Sequence, residues 1–478
     1  MAVRLRSDAA GSWLLREVGP VRRPRELHQA TTRALLPIPF PGFPAKIDRP
    51  HLVLTRLSLG RAHALATLVA QHVQRAGIPV VALVPIGSLR RFAAEIGDVA
   101  ILAVAAQDRH EEVLDGLAAL TTSVSVLRRS DKSIALNTEK GPVAIYLAPP
   151  QDAGAALLWH TGSRKHTAAM RARASSRGYE FVDGRLHRAG ARVDTPTEDV
   201  IYTRLELPYI PPELREDGSE IVEVERNGLP QLVAMPHIRG DLHAHTNWSD
   251  GRDTTERMVQ AARSLGYSYF AITDHSERAW ASRTLSVADI PKQRAEIESV
   301  RKKVSGIELL HGIEVDILHD GTLDFPDDVL EGFDIVLASL HDDGGHDGTR
   351  LTERYLSAMR HPLVNVITHP ANRSPGAREG YDLDYDRLFG AAVETGTAME
   401  VDGAPGHLDM DGAVARQAIA RGVTVVIDSD CHRAESLGRQ MEFGVGTARR
   451  GWLEPRHVLN TKSVDMVRAF VARKRNRR

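Results

Sequence analysis

Cysteine is almost absent: Cys431 is the only one in 478 residues. A lone thiol excludes an intramolecular disulfide and a cysteine-built zinc site, and it fits a reducing, cytoplasmic setting. No run approaches the roughly 18 apolar residues that a membrane span needs, so no membrane partner is expected. The opening MAVRLRSDAAGSW carries positive charge with no apolar core behind it, which makes it a poor signal peptide. Net charge is also lacking, at -1. That excludes a uniformly basic nucleic-acid binder and leaves room for a local basic groove. No internal repeat or low-complexity tract is present, and nothing in the chain speaks to oligomeric state.

What is present is a chain too long for one compact core, organised in stretches of different character. Residues 1–50 mix basic residues with proline and end in PFPGFPAKI, a small irregular or helical module. In 51–205 a helical period (LTRLSLGRAHALATLVAQHVQRAG, with Gly77 as stop signal) precedes short apolar strand candidates, VVALVPIG, VAILAVA and GPVAIYLAPP. An α+β region is expected there. LPYIPPELREDGSE is rich in proline and acid, so 206–236 reads as a linker. The closing VARKRNRR reads as a solvated basic helix end.

From residue 237 to 478 the pattern changes to short apolar runs separated by helical segments, the alternation of βα units around a parallel sheet or barrel. The runs are HIRGDLHAH, YSYFAITDH, IELLHGIEVDI, FDIVLASLH, VNVITHP, GTAMEVDG and VTVVIDSDCH. Nearly all close on, or beside, a His, Asp or Glu. In parallel α/β folds the C-terminal strand ends meet on one face, where active sites lie. His243 and His245, two residues apart on an extended strand, offer two imidazoles to one cation, and Asp430 with His432 repeats the spacing. His275, Glu314, His341 and His369 come from strands between, and Asp250 from the first loop. A single His after a strand is usually a hydrogen-bonded structural residue, but nine such side chains at matching strand ends are not explained that way. They exceed one tetrahedral site and suit two or three divalent ions of the Mn, Zn or Fe class, with Glu314 as a bridge.

DLHAHTNWSDG, ITDHS, GIEVDI, SLH, THP and DSDCH, in that order, resemble the polymerase and histidinol phosphatase (PHP) superfamily. LDFPDDVL, HPANR, HLDM and GVGTARRGWL…VLNT are similar, more narrowly, to the C-terminal domain of bacterial family X DNA polymerases. The resemblance implies a distorted seven-stranded βα barrel of PHP type with a trinuclear centre. His243, His245, Glu314 and Asp430 would hold the first metal; Glu314, His341 and His369 the second; Asp250, His275 and His432 the third. Glu314, His341 and Asp430 are the expected catalytic residues, acting with a hydroxide held between metals. Arg373 and Arg378, just past THP, are candidate phosphate clamps, with a surface role as the alternative. The chain departs from the polymerase-type pattern at Asp402, where Asn is usual, and at His407, where Arg is usual.

The first half resembles family X polymerases more loosely, through GSLRR at 87–91, Gly97-Asp98, HTGSRKH at 160–166 and LPYIPPELRED at 207–217. This implies a polymerase-beta-like nucleotidyltransferase region with a degenerate nucleotide site at Gly87, Ser88, Arg90, Asp98, Gly162 and Ser163. Nucleotidyl transfer needs three carboxylates to hold two Mg²⁺. Here the Asp-x-Asp pair reads Asp98-Val99-Ala100 and the third position is Ala144, so polymerase activity is expected to be absent. EVGPVRRPREL and PFPGFPAKI look like abbreviated helix-hairpin-helix segments, interrupted by Pro24 and Pro44. The expected function is therefore a metal-dependent phosphoesterase at DNA 3′ ends: 3′→5′ exonuclease, 3′-phosphatase or abasic-site cleavage. A small-molecule phosphatase of the histidinol-phosphatase type and a DNA-end-binding repair module are the alternatives. DNA 3′ ends or small phosphate esters are the partners in view.

Overall fold

The computed structural model describes residues 56–279 and 281–476. The abbreviated N-terminal segment, with Pro24 and Pro44, lies outside the described residues. The chain divides into two compact units that meet at Leu229 and Pro230.

In the first unit, helix α1 (Leu59–Arg75) forms where apolar residues recur at helical spacing, burying Leu59, Ala62, Leu65, Ala66, Val69, Ala70 and Val73. Gly77 follows its end with φ +64°, a left-handed conformation that glycine adopts without strain. A five-stranded mixed sheet comes next: β1 (Ala82–Pro85), β2 (Val99–Val104), β3 (Ser123–Arg129), β4 (Ser133–Thr138) and β5 (Gly141–Ala148). Its spatial order is β1-β2-β5-β4-β3, with only β2 and β5 parallel. Helices α2 (Ala153–Thr161), α3 (Arg164–Ser175), α4 (Glu198–Arg204) and α5 (Ser219–Asn227) belong to the same unit, beside a helix at His110–Ala118 and a three-stranded antiparallel sheet over residues 179–193.

Residues 206–229, expected as part of a linker, are folded into this unit. The Arg215 side chain is fully buried, its Nη1 lies 2.5 Å from Glu198 Oε1, and its Nε donates to Ile210 O at 2.8 Å. The segment that suggested a linker instead supplies a short 3-10 turn at Pro212–Leu214, the buried cation Arg215 and the buried Glu220, whose Oε1 lies 2.6 Å from His166 Nδ1.

The second unit is a seven-stranded parallel sheet whose spatial order is its chain order: β6 (Gly240–Asp241), β7 (Tyr269–Ile272), β8 (Glu308–Asp316), β9 (Ile335–Ser339), β10 (Val366–Ile367), β11 (Ala398–Asp402) and β12 (Val425–Asp428). The seven apolar runs read from the sequence supply these seven strands. A parallel bridge between Ala244 and Cys431 brings the last strand back to the first. Reciprocal bonds across the same seam run from Leu242 N to Asp428 Oδ1 at 2.8 Å and from Ser429 Oγ to Asp241 Oδ2 at 2.5 Å. The two-residue β6 leaves few ladder bonds at the seam, and these buried carboxylates add to the pairing.

Helices α6 (Thr255–Ser264), α7 (Ile290–Lys303), α8 (Gly348–Arg360), α9 (Tyr385–Thr395) and α10 (Gly412–Ala420) connect successive strands, except between β8 and β9, where only the turn Asp327–Leu330 intervenes. That missing helix is a source of the barrel's irregularity. Helices α11 (Leu437–Arg450) and α12 (Val464–Arg475) follow β12.

Alternation along the strands separates two cores. Phe270, Ile272, Ile313, Val336, Ile367, Met399 and Ile427 face outward and pack with helix residues such as Met258, Ile297, Tyr355, Phe389 and Met441. Tyr269, Leu310, Leu337, Val366, Ala398 and Val426 form a separate inner cluster, joined by Val467 and Val471 of α12. Along the inner face each strand then changes character towards its C-terminal end. Leu310 gives way to Gly312 and Glu314, Leu337 to Ser339 and His341, Ala398 to Glu400 and Asp402, and Val426 to Asp428 and Asp430. The barrel is thus apolar at one end and a dense array of ligand-type side chains at the other.

Candidate metal centre

Each of the nine expected side chains reaches that mouth. His243 and His245 follow β6 with their Nε2 atoms 3.1 Å apart. Asp430 Oδ1 lies 3.0 Å from His245 Nε2 and 3.6 Å from His243 Nε2. Glu314, fully buried at the end of β8, stands centrally: 3.4 Å from His243 Nε2, 2.8 Å from His275 Nδ1, 3.6 Å from His341 Nε2 and 2.9 Å from His369 Nε2. Asp250 Oδ1 lies 3.2 Å from His432 Nε2 and 3.6 Å from His275 Nε2. The loop bearing Asp250 packs closely because position 251 is glycine; a Cβ there would come within 2.6 Å of the His245 carbonyl carbon. A cleft of about 260 Å³ opens over Asp250, His275, His341, His369, Asp430 and His432, with Asn372, Arg378 and His407 on its wall.

Two ligand-type residues have left-handed backbone, His369 at φ +24° and Asp430 at φ +46°. Such conformations cost on the order of 1–3 kcal/mol in non-glycine residues and persist where surrounding structure holds them. Here both turn a side chain into the cleft immediately after a strand.

The donor set fits divalent cations. His245 Nδ1, Asp250 Oδ1, His275 Nδ1, Glu314 Oε2 and His369 Nδ1 are buried with no hydrogen-bond partner. Leaving one buried polar group unsatisfied costs roughly 1–3 kcal/mol, so five together would be a heavy load on a fold stabilised by only about 5–15 kcal/mol. His275 Nδ1 and Glu314 Oε2 are 2.8 Å apart yet lack hydrogen-bond alignment, as expected of atoms converging on a shared ion. Ligand atoms lie within 4.8 Å of one another in four groups: His245, Asp250, His275 and His432; His243, His245 and Glu314; His275, Glu314 and His341; and Asp402, His407 and Asp430. The first group contains the whole third set implied by resemblance, Asp250, His275 and His432, while the others divide the side chains differently. His275 sits with Glu314 and His341, and His369 belongs to none of the four.

Electrostatics agree. Burial disfavours the charged form of His432, yet Asp430 and Asp250 hold its pKa up at about 9. Burial pushes Asp250 upward, but His432 and His275 outweigh it and bring it to about 2. Burial opposes ionisation of Glu314 too, and the surrounding His275, His243 and His341 drive it well below the ordinary carboxylate range. Protonated imidazoles thus balance carboxylates in the bare protein, and bound cations would displace those protons.

Residues behind the ligands escaped the sequence reading. Glu400 Oε1 lies 2.7 Å from His243 Nδ1, and Glu400 Oε2 accepts the His369 backbone N–H at 2.8 Å. Asp316 Oδ1 is 2.5 Å from His341 Nδ1. Asp274 accepts from Thr246, Ser249 and Gln293, fixing the loop that carries Asp250. Carboxylates that orient ligand imidazoles are a general feature of metal sites. The available signal was parity: Glu314 and Asp316, like Glu400 and Asp402, are two apart on one strand face.

The candidate clamps part company. Arg378 lines the cleft, with its Nη2 on Asn372 O and Oδ1 at 2.7 and 2.8 Å. The Arg373 guanidinium instead holds the carbonyls of His407 and Leu408 at 3.2 and 3.1 Å, and Asp411 at 3.3 Å.

In the first unit, Gly87, Gly162 and Ser163 border a cavity of about 300 Å³ that also touches Arg91, Trp159 and Arg164. Arg90 is not directed into it: its guanidinium bonds Thr161 Oγ1 at 2.7 Å and Glu198 Oε2 at 2.6 Å. Ser163 caps α3, accepting from His166 N at 3.1 Å. Asp98 is exposed before β2. Ala100 and Ala144 are direct partners in the parallel β2–β5 register, so the two positions lacking a carboxylate are neighbours.

A nearly closed parallel barrel with this His/Asp/Glu array at its C-terminal mouth defines a metal-dependent phosphoesterase, and the comparisons with known proteins agree. The family model for the PHP domain matches residues 241–374, and that for the DNA polymerase beta thumb matches residues 156–216. The DNA polymerase/3′-5′ exonuclease PolX of Bacillus subtilis is 34% identical over 423 residues, covering 87% of this chain and 73% of that protein. The chain belongs to the bacterial family X DNA polymerases that carry a PHP domain. Probable phosphatases align with half of the chain: one from Caldanaerobacter subterraneus is 30% identical over 250 residues, 92% of its own length, and one from Thermoanaerobacter is 27% identical over 248 residues, 96% of its length. Among the described residues no helix is long and apolar enough to cross a membrane.

Proposed function

We propose that this chain hydrolyses phosphate esters at DNA 3′ ends, as a 3′→5′ exonuclease, 3′-phosphatase or abasic-site nuclease. The observation that carries the reading is the convergence of six imidazoles and three carboxylates, several of them with orphaned buried atoms, on one open cleft. The relative that matches both halves of the chain is described as a polymerase and 3′-5′ exonuclease, which supports DNA as the substrate.

His243, His245, Asp250, His275, Glu314, His341, His369, Asp430 and His432 would hold two or three divalent ions of the Mn, Zn or Fe class. Such ions, when bound, supply nucleophilic water near neutral pH and neutralise charge on the phosphoryl group. The protein's own part is orientation. Glu400 fixes His243 and the backbone of His369, Asp316 fixes His341, and Glu314 stands among five imidazoles from a fully buried position. Arg378, on the cleft wall beside Asn372, would meet a phosphate oxygen, and Arg373 would serve by holding the 407–411 loop. The cleft is open at Asp250 and His432, which are partly exposed and so sit where a chain end would enter.

Polymerisation is absent in this reading. Ala100 and Ala144 sit side by side where metal-binding carboxylates would have to converge, and Arg90 is committed to Glu198. The first half then serves as scaffold or as a grip on DNA.

A small-molecule phosphatase is the second reading, favoured by the probable phosphatases whose whole length is little more than the barrel. A non-catalytic DNA-end-binding module has less support, since every expected ligand position is filled. Purified protein with Mn²⁺, a 3′-labelled oligonucleotide and a panel of phosphomonoesters separates the readings. Loss of the 3′ label in wild type but not in His341→Ala supports action at DNA ends. Phosphate release from monoesters alone supports the second reading. Template-directed extension by wild type would overturn the account of the first half.

A further inference from the structure

We propose that Asp402, His407 and Asp430 form an additional divalent-cation subsite beside the main centre, with Asp402 and His407 as ligands outside the nine considered so far. The proposal rests on the metal-dependent reading of the barrel mouth and adds to it.

Asp402 ends β11 and is fully buried. One of its oxygens accepts the Ala404 N–H at 2.6 Å, and the other, Oδ2, has no hydrogen-bond partner. His407 lies on the following loop, with its ring stacked on His369 at 5.0 Å between centroids and its Nδ1 buried and likewise unpartnered. One ligand atom from each of Asp402, His407 and Asp430 falls within 4.8 Å of the other two. Two of the three residues in this group thus each carry a buried atom with no partner.

The scaffold holds them there. Arg373 binds the carbonyls of His407 and Leu408, and the Asp402 N–H donates to Asp409 O at 2.6 Å, so strand end and loop are tied together. Two buried carboxylates this close repel each other, and in water-excluded surroundings the repulsion is relieved by a proton on one of them in the bare protein or by a divalent cation between them. Two carboxylates and an imidazole form a donor set suited to Mn, Zn or Fe. Sharing Asp430 with His243 and His245 would place this ion next to the main cluster.

The test uses the full chain, stripped with a chelator and titrated with Mn²⁺ alone, with bound metal measured by calorimetry and by elemental analysis after desalting. Asp402→Asn keeps shape and removes the ligand charge; His407→Gln removes the imidazole from a loop position and serves if Asp402→Asn fails to fold. Each is expected to bind about one ion per chain fewer than wild type while retaining the rest. Equal stoichiometry in wild type and both variants would overturn the subsite and leave the main centre standing. A wild type that binds no Mn²⁺ would overturn both.

Discussion

Glu400 reaches His243 across the barrel: Oε1 of the one lies 2.7 Å from Nδ1 of the other, while the second Glu400 oxygen takes the backbone N–H of His369. One buried carboxylate thereby sets the orientation of an imidazole from the first strand and the backbone after the fifth. Burial disfavours the imidazolium of His243, and Glu400, Glu314 and Asp430 together raise its pKa well above the usual value. Glu400→Ala should weaken metal binding by about 10–100-fold with the fold retained, the range expected when a ligand's supporting carboxylate is lost. Titration with Mn²⁺, alongside circular dichroism, measures it. Wild-type affinity in the variant would show that Glu400 does not position the site.

Asp316 stands in the same relation to His341, at 2.5 Å. Asp316→Asn keeps the packing but turns an acceptor of the His341 Nδ1–H into an amide. Hydrolysis should fall about tenfold or more. The loss is expected in kcat rather than in KM, because the substitution disturbs a ligand and not a substrate contact.

Glu314 lies within 3.6 Å of five imidazoles, those of His243, His245, His275, His341 and His369, and its removal should be the most damaging single change. Glu314→Gln is expected to lower the hydrolytic rate by ~10³-fold or more, as when an electrostatic stabiliser is deleted. Steady-state hydrolysis of a 3′-phosphorylated oligonucleotide reads this directly. Residual activity within tenfold of wild type would argue against a bridging role.

In the first unit the Glu198 carboxylate offers a pH prediction independent of the metals. Burial opposes its ionisation, but Arg215 and Arg90 overcome this and lower its pKa to about 2. A depressed carboxylate pKa stabilises the fold fully above the unfolded value near 4.5, and that contribution drains away as pH falls from there toward 2. Glu198→Gln should therefore melt below wild type at pH 6, and the gap should narrow progressively below about pH 4.5. A difference in melting temperature that did not change with pH would contradict the assignment.

Much of this was legible from residue order alone. The seven apolar runs became seven strands because a parallel barrel buries both faces and leaves short, uniformly apolar segments. The nine candidate side chains could be grouped from sequence because strand ends converge whatever the intervening lengths. Glu400, Asp316 and Asp274 were not: each sits within or beside an apolar run, where a single acidic residue carries no mark of which imidazole it will face. Arg373 and Arg378 looked equivalent in sequence, and only the fold of the 371–381 loop sends one to the cleft and the other to backbone carbonyls. Residues 206–229 were misjudged for a related reason. Their charged composition resembles a linker until the partners, Glu198 for Arg215 and His166 for Glu220, are known from tertiary structure.

Anomalous diffraction from crystals soaked in Mn²⁺ or Zn²⁺, collected at the metal's absorption edge, would bear most directly on the proposed centre. The account predicts two or more strong peaks inside the barrel mouth, within coordination distance of Glu314 and the surrounding histidines. A soaked crystal with these side chains ordered and no peak among them would contradict it.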